Sequence, residues 1–461
     1  MFRKILVANR GEIALRVIRA CHAVGAKAVA VYSDADRGAP WLDEADETVC
    51  IGPGPASRSY LDADAVLQAA LQTGCQALHP GYGFLSENAA FVTRCWQQKL
   101  AFIGPRASSI RMMGDKATAR ETMRDAGLPV MPGSKDVLPD VEAARAMADE
   151  VGYPVLLKAT AGGGGKGMRR VDAPDQLAGA WADASREAET SFGNADLYME
   201  KYIVGGRHIE FQVLADHYGN VIHLGERECS IQRNHQKLLE EAPASHFDPA
   251  VRAELGERIR TAVRAMGYRN AGTIEFLMDA SGQLYFMEMN TRIQVEHPVT
   301  ELVTGVDLVA WQLRIAAGER LTLTQDDVTL NGHAIEVRIN AEDPSAGFRP
   351  APGTVSTFAL DHDGPGGPVR LDSHVRDGYR IPTFYDSMVG KLIVHGADRA
   401  AAIDRLRDAL DALTIEGVPT TVPLHRAIVD EPDFREGGVH CQYLADHPTL
   451  LESASATMTE S

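Results

Sequence analysis

Apolar and polar positions follow two different periods along the first hundred residues, and the change of period marks the predicted elements. Short apolar runs are each followed by a segment whose apolar residues recur every three to four positions. The predicted order is a strand at 4–8, a helix at about 12–24, a strand at 27–33, a helix at 62–72, an apolar run from 75, a third helix, and an apolar run from 100. Alternation of this kind predicts βαβ units around a parallel sheet.

The segment KATAGGGGKGMRR, residues 158–170, has the composition of a phosphate-binding loop. A P-loop is excluded, because two further positions that it needs hold Thr160 and Gly167. The spacing Gly162-x-Gly164-x-x-Gly167 matches a dinucleotide fingerprint, but that fingerprint must open a helix. MRRV at 168–171 is instead typical of a strand.

The pattern therefore favours a strand, a flexible glycine loop and a second strand. Such a loop can fold over a ligand with its N–H groups exposed, as in the glycine-rich flap of kinases. A surface hairpin without a ligand is the alternative. The loop residues are Gly162, Gly163, Gly164, Gly165, Lys166 and Gly167, with Lys158 on the strand before them.

Residues 207–216, RHIEFQVLAD, alternate strictly and predict a strand with two distinct faces. His208, Glu210 and Gln212 share the polar face. Either that face is solvated, as in a half-exposed strand, or it lines a site. Residues 271–290 predict a hairpin after a helix at 249–267, and a third, strand-rich region begins near Gly332.

The hairpin predicts a metal site. If its turn centres on Ser281 and Gly282, Glu275 and Glu288 lie directly opposite each other, with Asn290 two residues on. Facing carboxylates repel, so the pair needs a cation or a shared proton. Such oxygen ligands suit Mg²⁺ that holds ATP phosphates. A register slip by one residue would separate the two glutamates.

Two further segments concentrate mixed charge, and the first of them shows no helical or strand period. Residues 288–298, EMNTRIQVEHP, contain Arg292, Glu296 and His297. An upstream segment, 227–243, contributes Gln232, His235, Lys237 and Glu240. A purely structural role is improbable for the whole set.

Composition narrows the class of protein. The 461 residues include 63 acidic and 46 basic residues, a net charge of −17, which argues against broad binding of nucleic acid or anionic membranes. The six cysteines show no paired short spacing, so neither a disulfide framework nor structural zinc is expected, and a reducing cytoplasm fits. The first 18 residues carry charges throughout and resemble neither a signal peptide nor a membrane span.

Taken over nearly its whole length, the sequence resembles the biotin carboxylase family of the ATP-grasp superfamily. The run at 288–301 separates this family from most other ATP-grasp enzymes. The resemblance rests on ILVANRGEIALRVIRA, ADETVCIGP, HPGYGFLSEN, FIGP, MGDKATAR, KATAGGGGKGMR, YMEKYI, RHIEFQVLAD, EMNTRIQVEHPVTE, GHAIEVRINAEDP and YDSMVGKLIV.

The resemblance implies an α/β fold in three parts. These are a Rossmann-like N-terminal domain (1–115), an α+β ATP-grasp domain (116–330) with a mobile lid (about 132–203), and a strand-rich C-terminal domain (331–446). Residues 447–461 are expected to be a disordered tail.

It also implies a role for each matching residue. Lys116, Lys158 and the glycine flap bind ATP phosphates, and His208, Gln232 and His235 lie near the nucleotide. The adenine hinge is formed by Glu200, Lys201 and Ile203. Mg²⁺ or Mn²⁺ is bound by Glu275 and Glu288, with Asn290 beside them. The bicarbonate pocket is formed by Lys237, Arg292, Gln294 and Val295. Glu296 deprotonates bicarbonate, Arg338 stabilises the biotin enolate, and Tyr82 contacts biotin.

The implied reaction is ATP-dependent carboxylation of biotin through carboxyphosphate, as in acetyl-CoA carboxylase or a related acyl-CoA carboxylase. Pyruvate carboxylase and a different ATP-grasp ligase are the alternatives. No biotinyl-lysine motif occurs, so the biotin carboxyl carrier protein and the carboxyltransferase are expected on separate chains. Arg19 and Arg370 fit the family's homodimer contacts, whereas Ala23 and Gly367 depart from them.

Overall fold

The first hundred residues form the predicted parallel sheet. The structure is a computed structural model that describes residues 1–160, 167–360 and 369–451. The strands lie in the order β3-β2-β1-β4-β5, with α1 and α2 as crossovers. The elements are β1 (Lys4–Val7), α1 (Gly11–Ala23), β2 (Lys27–Tyr32), β3 (Glu47–Cys50), α2 (Ala63–Gln72), β4 (Ala77–His79), α3 (Ala89–Gln97), β5 (Ala101–Phe102), α4 (Ala107–Gly114) and α5 (Lys116–Asp125).

The glycine-rich segment joins two antiparallel strands. Its elements are α6 (Val141–Val151), β6 (Val155–Ala159), β7 (Met168–Val171), α7 (Leu177–Phe192) and β8 (Leu197–Lys201). Lys158 pairs with Met168, and the Ala159 N–H donates to the Gly167 carbonyl at 3.0 Å. The strand after the loop is thus confirmed. Gly162, Gly163, Gly164, Gly165 and Lys166 lie outside the described residues.

One antiparallel sheet of eight strands carries the rest of the site. Its order is β13-β12-β9-β10-β11-β14-β19-β18. The elements before residue 330 are β9 (Arg207–Ala215), β10 (Val221–Arg233), β11 (Gln236–Ala242), α8 (Pro249–Ala265), β12 (Asn270–Met278), β13 (Leu284–Asn290), α9 (His297–Thr304) and α10 (Leu308–Ala316). None of the helices in the described ranges has the length and apolar character needed to cross a membrane.

The C-terminal region extends that same sheet. Its elements are β14 (His333–Asn340), β15 (Glu342–Asp343), β16 (Arg349–Pro350), β17 (Thr357–Leu360), β18 (Arg370–Ser373), β19 (Met388–Gly396), α11 (Arg399–Ala412), β20 (Leu413–Glu416), α12 (Val422–Asp430), α13 (Pro432–Glu436) and α14 (Tyr443–Asp446). Because Leu239 on β11 pairs with Val337 on β14, the sheet crosses the expected domain boundary at residue 330 without a break.

The packed chain extends past the start of the expected tail. His447 stacks on Tyr443 with ring centroids 4.3 Å apart, and Leu450 is buried in the C-terminal core. The expectation of a disordered tail is therefore wrong for residues 447–451, which are packed against the C-terminal core. Residues 452–461 lie outside the described ranges.

Candidate active site

A cavity of about 750 Å³ lies where the lid, the eight-stranded sheet and the N-terminal region meet. Most of the residues singled out from the sequence line it, although they come from positions 82 to 338. They are Tyr82, Lys116, Lys158, Glu200, Lys201, Ile203, His208, Gln232, His235, Lys237, Glu275, Glu288, Asn290, Arg292, Gln294, Val295, Glu296 and Arg338.

The predicted facing of Glu275 and Glu288 is confirmed, but the predicted turn is wrong. The turn holds three residues, 280–282, because the Asp279 N–H donates to the Gln283 carbonyl at 2.9 Å and Gly282 adopts a φ of +84°. That turn shifts the register by one. A bulge at Met287 shifts it back, and the two glutamates end opposite each other.

The two facing carboxylates differ in their surroundings. Glu275 accepts hydrogen bonds from Asn290 at 2.8 Å, Gln294 at 2.8 Å and Lys237 at 3.0 Å. Within the described residues, the Glu288 carboxylate has no hydrogen-bond or ion-pair partner; burial and Glu275 raise its pKa. An unpaired carboxylate beside a second one fits a divalent cation, which would neutralise both.

The polar face of β9 is buried, so the half-exposed alternative is wrong. Lys237 on β11 reaches Glu210 at 2.6 Å, Glu275 at 3.0 Å and Glu296 at 2.6 Å. Burial lowers the pKa of Lys237, but the three carboxylates raise it well above its usual range. Burial also lowers the pKa of His208, but the Glu275 carboxylate outweighs burial and raises this pKa to about 9. Both groups are cationic at neutral pH.

Arg227 is a central residue that the sequence analysis missed. It is fully buried on β10 and donates to Glu210 at 2.6 Å, Gln212 at 2.8 Å and Gln294 at 2.6 Å. The available signal was the run of three charged residues, Glu226, Arg227 and Glu228, inside the strand VIHLGEREC. Arg227 ties the strand to the loop that carries Gln294 and Glu296.

Arg338 on β14 bridges two carboxylates. Its guanidinium donates to Glu240 at 2.6 Å and to Glu296 at 3.0 Å. Burial raises the pKa of Glu296, but Lys237 and Arg338 outweigh it, and the net shift is downward. Glu296 is therefore ionised and doubly paired.

The lid side of the cavity holds a second charge cluster. Glu200 pairs with Lys158 and with Arg120 at 2.9 Å. Lys201 turns its Nζ away to cap the carbonyls of Gly152 at 2.8 Å and Tyr153 at 2.9 Å, so only the rest of the residue lines the cavity. The walls here include the apolar side chains of Met131, Leu156, Ile203, Leu277 and Phe286. An apolar slot with a polar edge suits a nucleotide base.

Turns and helix starts position the remaining nucleotide-side residues. Lys116 begins α5, and His235 lies in the tight turn between β10 and β11 with a φ of +65°. Gln232 donates to the Cys441 sulfur at 3.1 Å. Cys441, which also lines the cavity, was not anticipated from the sequence.

The loop between β13 and α9 is held from several sides. Arg292 donates to Glu87 at 3.0 Å and to Asn290 at 2.9 Å. The Val295 carbonyl accepts from the buried Lys391 at 2.7 Å. Lys391 also lies 3.4 Å from Glu12, to which the Tyr82 hydroxyl donates. Tyr82 is thereby fixed at the cavity wall.

This fold and this site together define an ATP-grasp enzyme, with a cavity between the three-stranded sheet β7-β6-β8 and the eight-stranded antiparallel sheet. Sequence profiles for "Biotin carboxylase, N-terminal domain", "Carbamoyl-phosphate synthase L chain, ATP binding domain" and "Biotin carboxylase C-terminal domain" match residues 1–110, 115–324 and 336–446. The chain belongs to the biotin carboxylase family. It is an ATP-dependent ligase of that family.

Individual relatives agree with this placement. The biotin carboxylase of Nostoc sp. is 56% identical over 445 residues, which are 96% of this chain and 99% of the relative. The biotin carboxylase domain of Hydrogenobacter thermophilus 2-oxoglutarate carboxylase, solved with MgADP, ADP and bicarbonate, superposes with a TM-score of 0.91 at 50% identity, covering 98% of this chain and 99% of that one. A Campylobacter jejuni biotin carboxylase structure gives 0.91 at 47% identity, covering 97% and 99%.

Proposed function

We propose that this protein uses ATP and bicarbonate to carboxylate biotin on a carrier protein through carboxyphosphate. The observation that carries the proposal is the position of Glu296. It lies between Lys237 and Arg338 in the cavity that also holds the facing pair Glu275 and Glu288. One cavity thus contains a base, two cations for an anionic substrate and a proposed metal site.

ATP fits the cleft between the lid and the sheet. Lys116 and Lys158 supply positive charge for its phosphates, and Glu200, Lys201 and Ile203 border the apolar slot for the base. Glu275 and Glu288 would hold Mg²⁺ with Asn290 beside them, and the ion would neutralise phosphate charge. The Hydrogenobacter relative was solved with MgADP, which supports this assignment.

Bicarbonate fits against Lys237, Arg292, Gln294 and the Val295 carbonyl. Glu296 accepts its proton, and the resulting carbonate oxygen attacks the γ-phosphoryl group to give carboxyphosphate and ADP. The pKa of Glu296 is lowered by its two cations. When Lys237 turns to an anionic substrate, Glu296 loses part of that stabilisation and becomes a stronger base.

Biotin enters beside Tyr82 and Arg338. Carboxyphosphate breaks down to CO₂ and phosphate, and the phosphate takes the proton from the biotin ureido nitrogen. Arg338 offsets the negative charge that develops on the ureido oxygen. The nitrogen then attacks CO₂. Exclusion of water by the closed lid protects the carboxyphosphate from hydrolysis.

The wider assembly belongs to the proposal as well. A biotin carboxyl carrier protein and a carboxyltransferase would be its partners in the cytoplasm, and the final acceptor would be an acyl-CoA such as acetyl-CoA. A pyruvate carboxylase complex is the second candidate, because the solved biotin carboxylase subunit of a pyruvate carboxylase is 49% identical to this chain, with a TM-score of 0.86. Arg19 on α1 and Arg370 on β18 would contribute to a homodimer.

Two substitutions test the chemistry. General-base help contributes roughly 10²–10⁴ in rate, so Glu296→Gln should depress bicarbonate-dependent ATP cleavage and biotin carboxylation together. Arg338→Gln should lower biotin carboxylation by about 10²–10³ while sparing much of the ATP cleavage that proceeds without biotin. ADP release with and without free biotin, beside fixation of labelled carbonate, measures both.

The unmutated protein provides the control. If it released no ADP in response to bicarbonate, a different ATP-grasp ligase reaction would replace this proposal. Equal damage to both activities by Arg338→Gln would place Arg338 in bicarbonate activation or in folding instead of at biotin.

A further inference from the structure

Two carboxyl groups, those of Glu240 and Glu336, face each other next to Arg338. Glu240 on β11 and Glu336 on β14 are directly paired across the sheet, and both side chains are fully buried. Both oxygens of Glu336 and the Oε2 of Glu240 have no hydrogen-bond partner within the described residues. Unpaired buried polar atoms are costly, so their retention here needs an explanation.

The pair carries at most one negative charge at neutral pH. Burial raises the pKa of Glu336 well above its usual range, and Glu240 and Glu296 add to the rise against the opposing effect of Lys391 and Arg338. Burial likewise raises the pKa of Glu240 to about 7, with Arg338 and Lys237 opposing and Glu296 reinforcing the shift. Glu336 therefore keeps its proton in preference to Glu240, and the Arg338 guanidinium 2.5 Å from Glu240 favours the single charge on that residue.

That charge orients Arg338. The Nε of Arg338 donates to Oε1 of Glu240 at 2.6 Å, and Nη2 lies 2.5 Å from the same oxygen, whereas the hydrogen bond from Nη2 to Glu296 is longer, at 3.0 Å. The Arg338 main chain is fixed separately, because its carbonyl accepts from Thr421 at 2.9 Å and His425 at 2.8 Å. With the backbone anchored, the balance between the two carboxylates decides where the guanidinium points.

We propose that Glu240 is a positioning residue for biotin carboxylation: it holds the guanidinium of Arg338 back from Glu296 and keeps it available to the biotin oxygen. The inference rests on the function proposed above. Without the charge on Glu240, Arg338 pairs fully with Glu296. The Arg338 guanidinium then binds only the base Glu296 and no longer faces biotin.

The test compares two isosteric changes on facing positions. Glu240→Gln should lower the ratio of biotin carboxylation to biotin-independent, bicarbonate-dependent ADP release by about tenfold or more, since hydrogen bonds to charged groups are of that strength. The KM for free biotin should rise while the KM for ATP stays within about twofold. Glu336→Gln, the matched control, should leave the ratio unchanged because that carboxyl is already neutral.

Glu240→Asp is the second variant, with melting temperature as the check on folding. It keeps the charge but withdraws it by one methylene, so the ratio should fall by less than in Glu240→Gln, and it carries the test if the glutamine variant does not fold. An unchanged ratio in both Glu240 variants overturns the inference, as does an equal fall in Glu336→Gln. Absence of carboxylation by the unmutated protein would instead remove the proposed function, and this inference with it.

Discussion

At the scale of single residues, the site balances charge through shared partners. Lys237 serves three carboxylates, Arg227 binds Glu210, and Arg338 divides its hydrogen bonds between Glu240 and Glu296. Buried charges are stable only when paired and hydrogen-bonded. The anionic substrate proposed above would therefore take cations from these carboxylates, and this exchange would couple its binding to the basicity of Glu296.

The neutral acid Glu336 allows a test of stability against pH. Its folded-state pKa lies well above the ordinary 4.5, so the folded protein keeps a proton that the unfolded chain releases above pH 4.5. The contribution of this group to stability is complete below pH 4.5 and is lost as pH rises toward the folded pKa. The loss is about 1.4 kcal/mol of unfolding free energy per pH unit. Glu336→Gln should abolish it.

Urea unfolding of both proteins between pH 5 and pH 8 measures the effect. The free energy of unfolding of Glu336→Gln, relative to the unmutated protein, should increase with pH across this range. A difference that stays constant with pH would show that Glu336 is ionised in the folded protein.

At the scale of elements, the hairpin of β12 and β13 decides whether a metal site exists. Alternation and turn residues in the sequence were enough to predict that Glu275 faces Glu288. They could not reveal the three-residue turn or the bulge at Met287, because each of these depends on how β13 packs in the finished sheet. The prediction was right because the two irregularities cancel.

Glu288→Gln tests the facing pair. The substitution removes one of the two charges from the proposed metal site and leaves a side chain of equal size. The fold should therefore persist, while ADP release at limiting Mg²⁺ should fall by about tenfold or more. ADP release over a Mg²⁺ titration gives the result, with the exposed Glu254→Gln on α8 as the control. Normal turnover at limiting Mg²⁺ would contradict the metal assignment.

At the scale of the whole molecule, the sheet joins regions that the sequence divides. The change of character near residue 330 predicted a domain boundary, yet β11 and β14 pair across it and Leu239 packs in the same core as Val337 and Leu406. Sequence periodicity shows where a strand is but not its neighbour, since pairing is decided by contacts distant in the chain. For the same reason, the buried Arg227 was not recognised, and Glu240 was singled out from the sequence without its partner Arg338.

Leu239→Ala tests this continuity. Truncating a buried leucine costs about 2–5 kcal/mol, and the loss should appear in the C-terminal region although residue 239 precedes the boundary. Hydrogen exchange should show faster opening of β14 and β19 together with β11. Leu71→Ala, at an exposed position on α2, should leave these rates unchanged. Faster exchange confined to residues before 330 would mean that the two regions unfold independently.

The paired irregularities of the hairpin also constrain how this segment can drift over generations. A gain or loss of one residue in the turn alone, or at the bulge alone, would move Glu288 to the opposite face of β13 and separate the two carboxylates of the proposed metal site. Only a second, opposite change restores it. We therefore expect relatives to differ more by substitution, as at Ala280, than by single insertions or deletions between residues 276 and 288, which should occur only in compensating pairs.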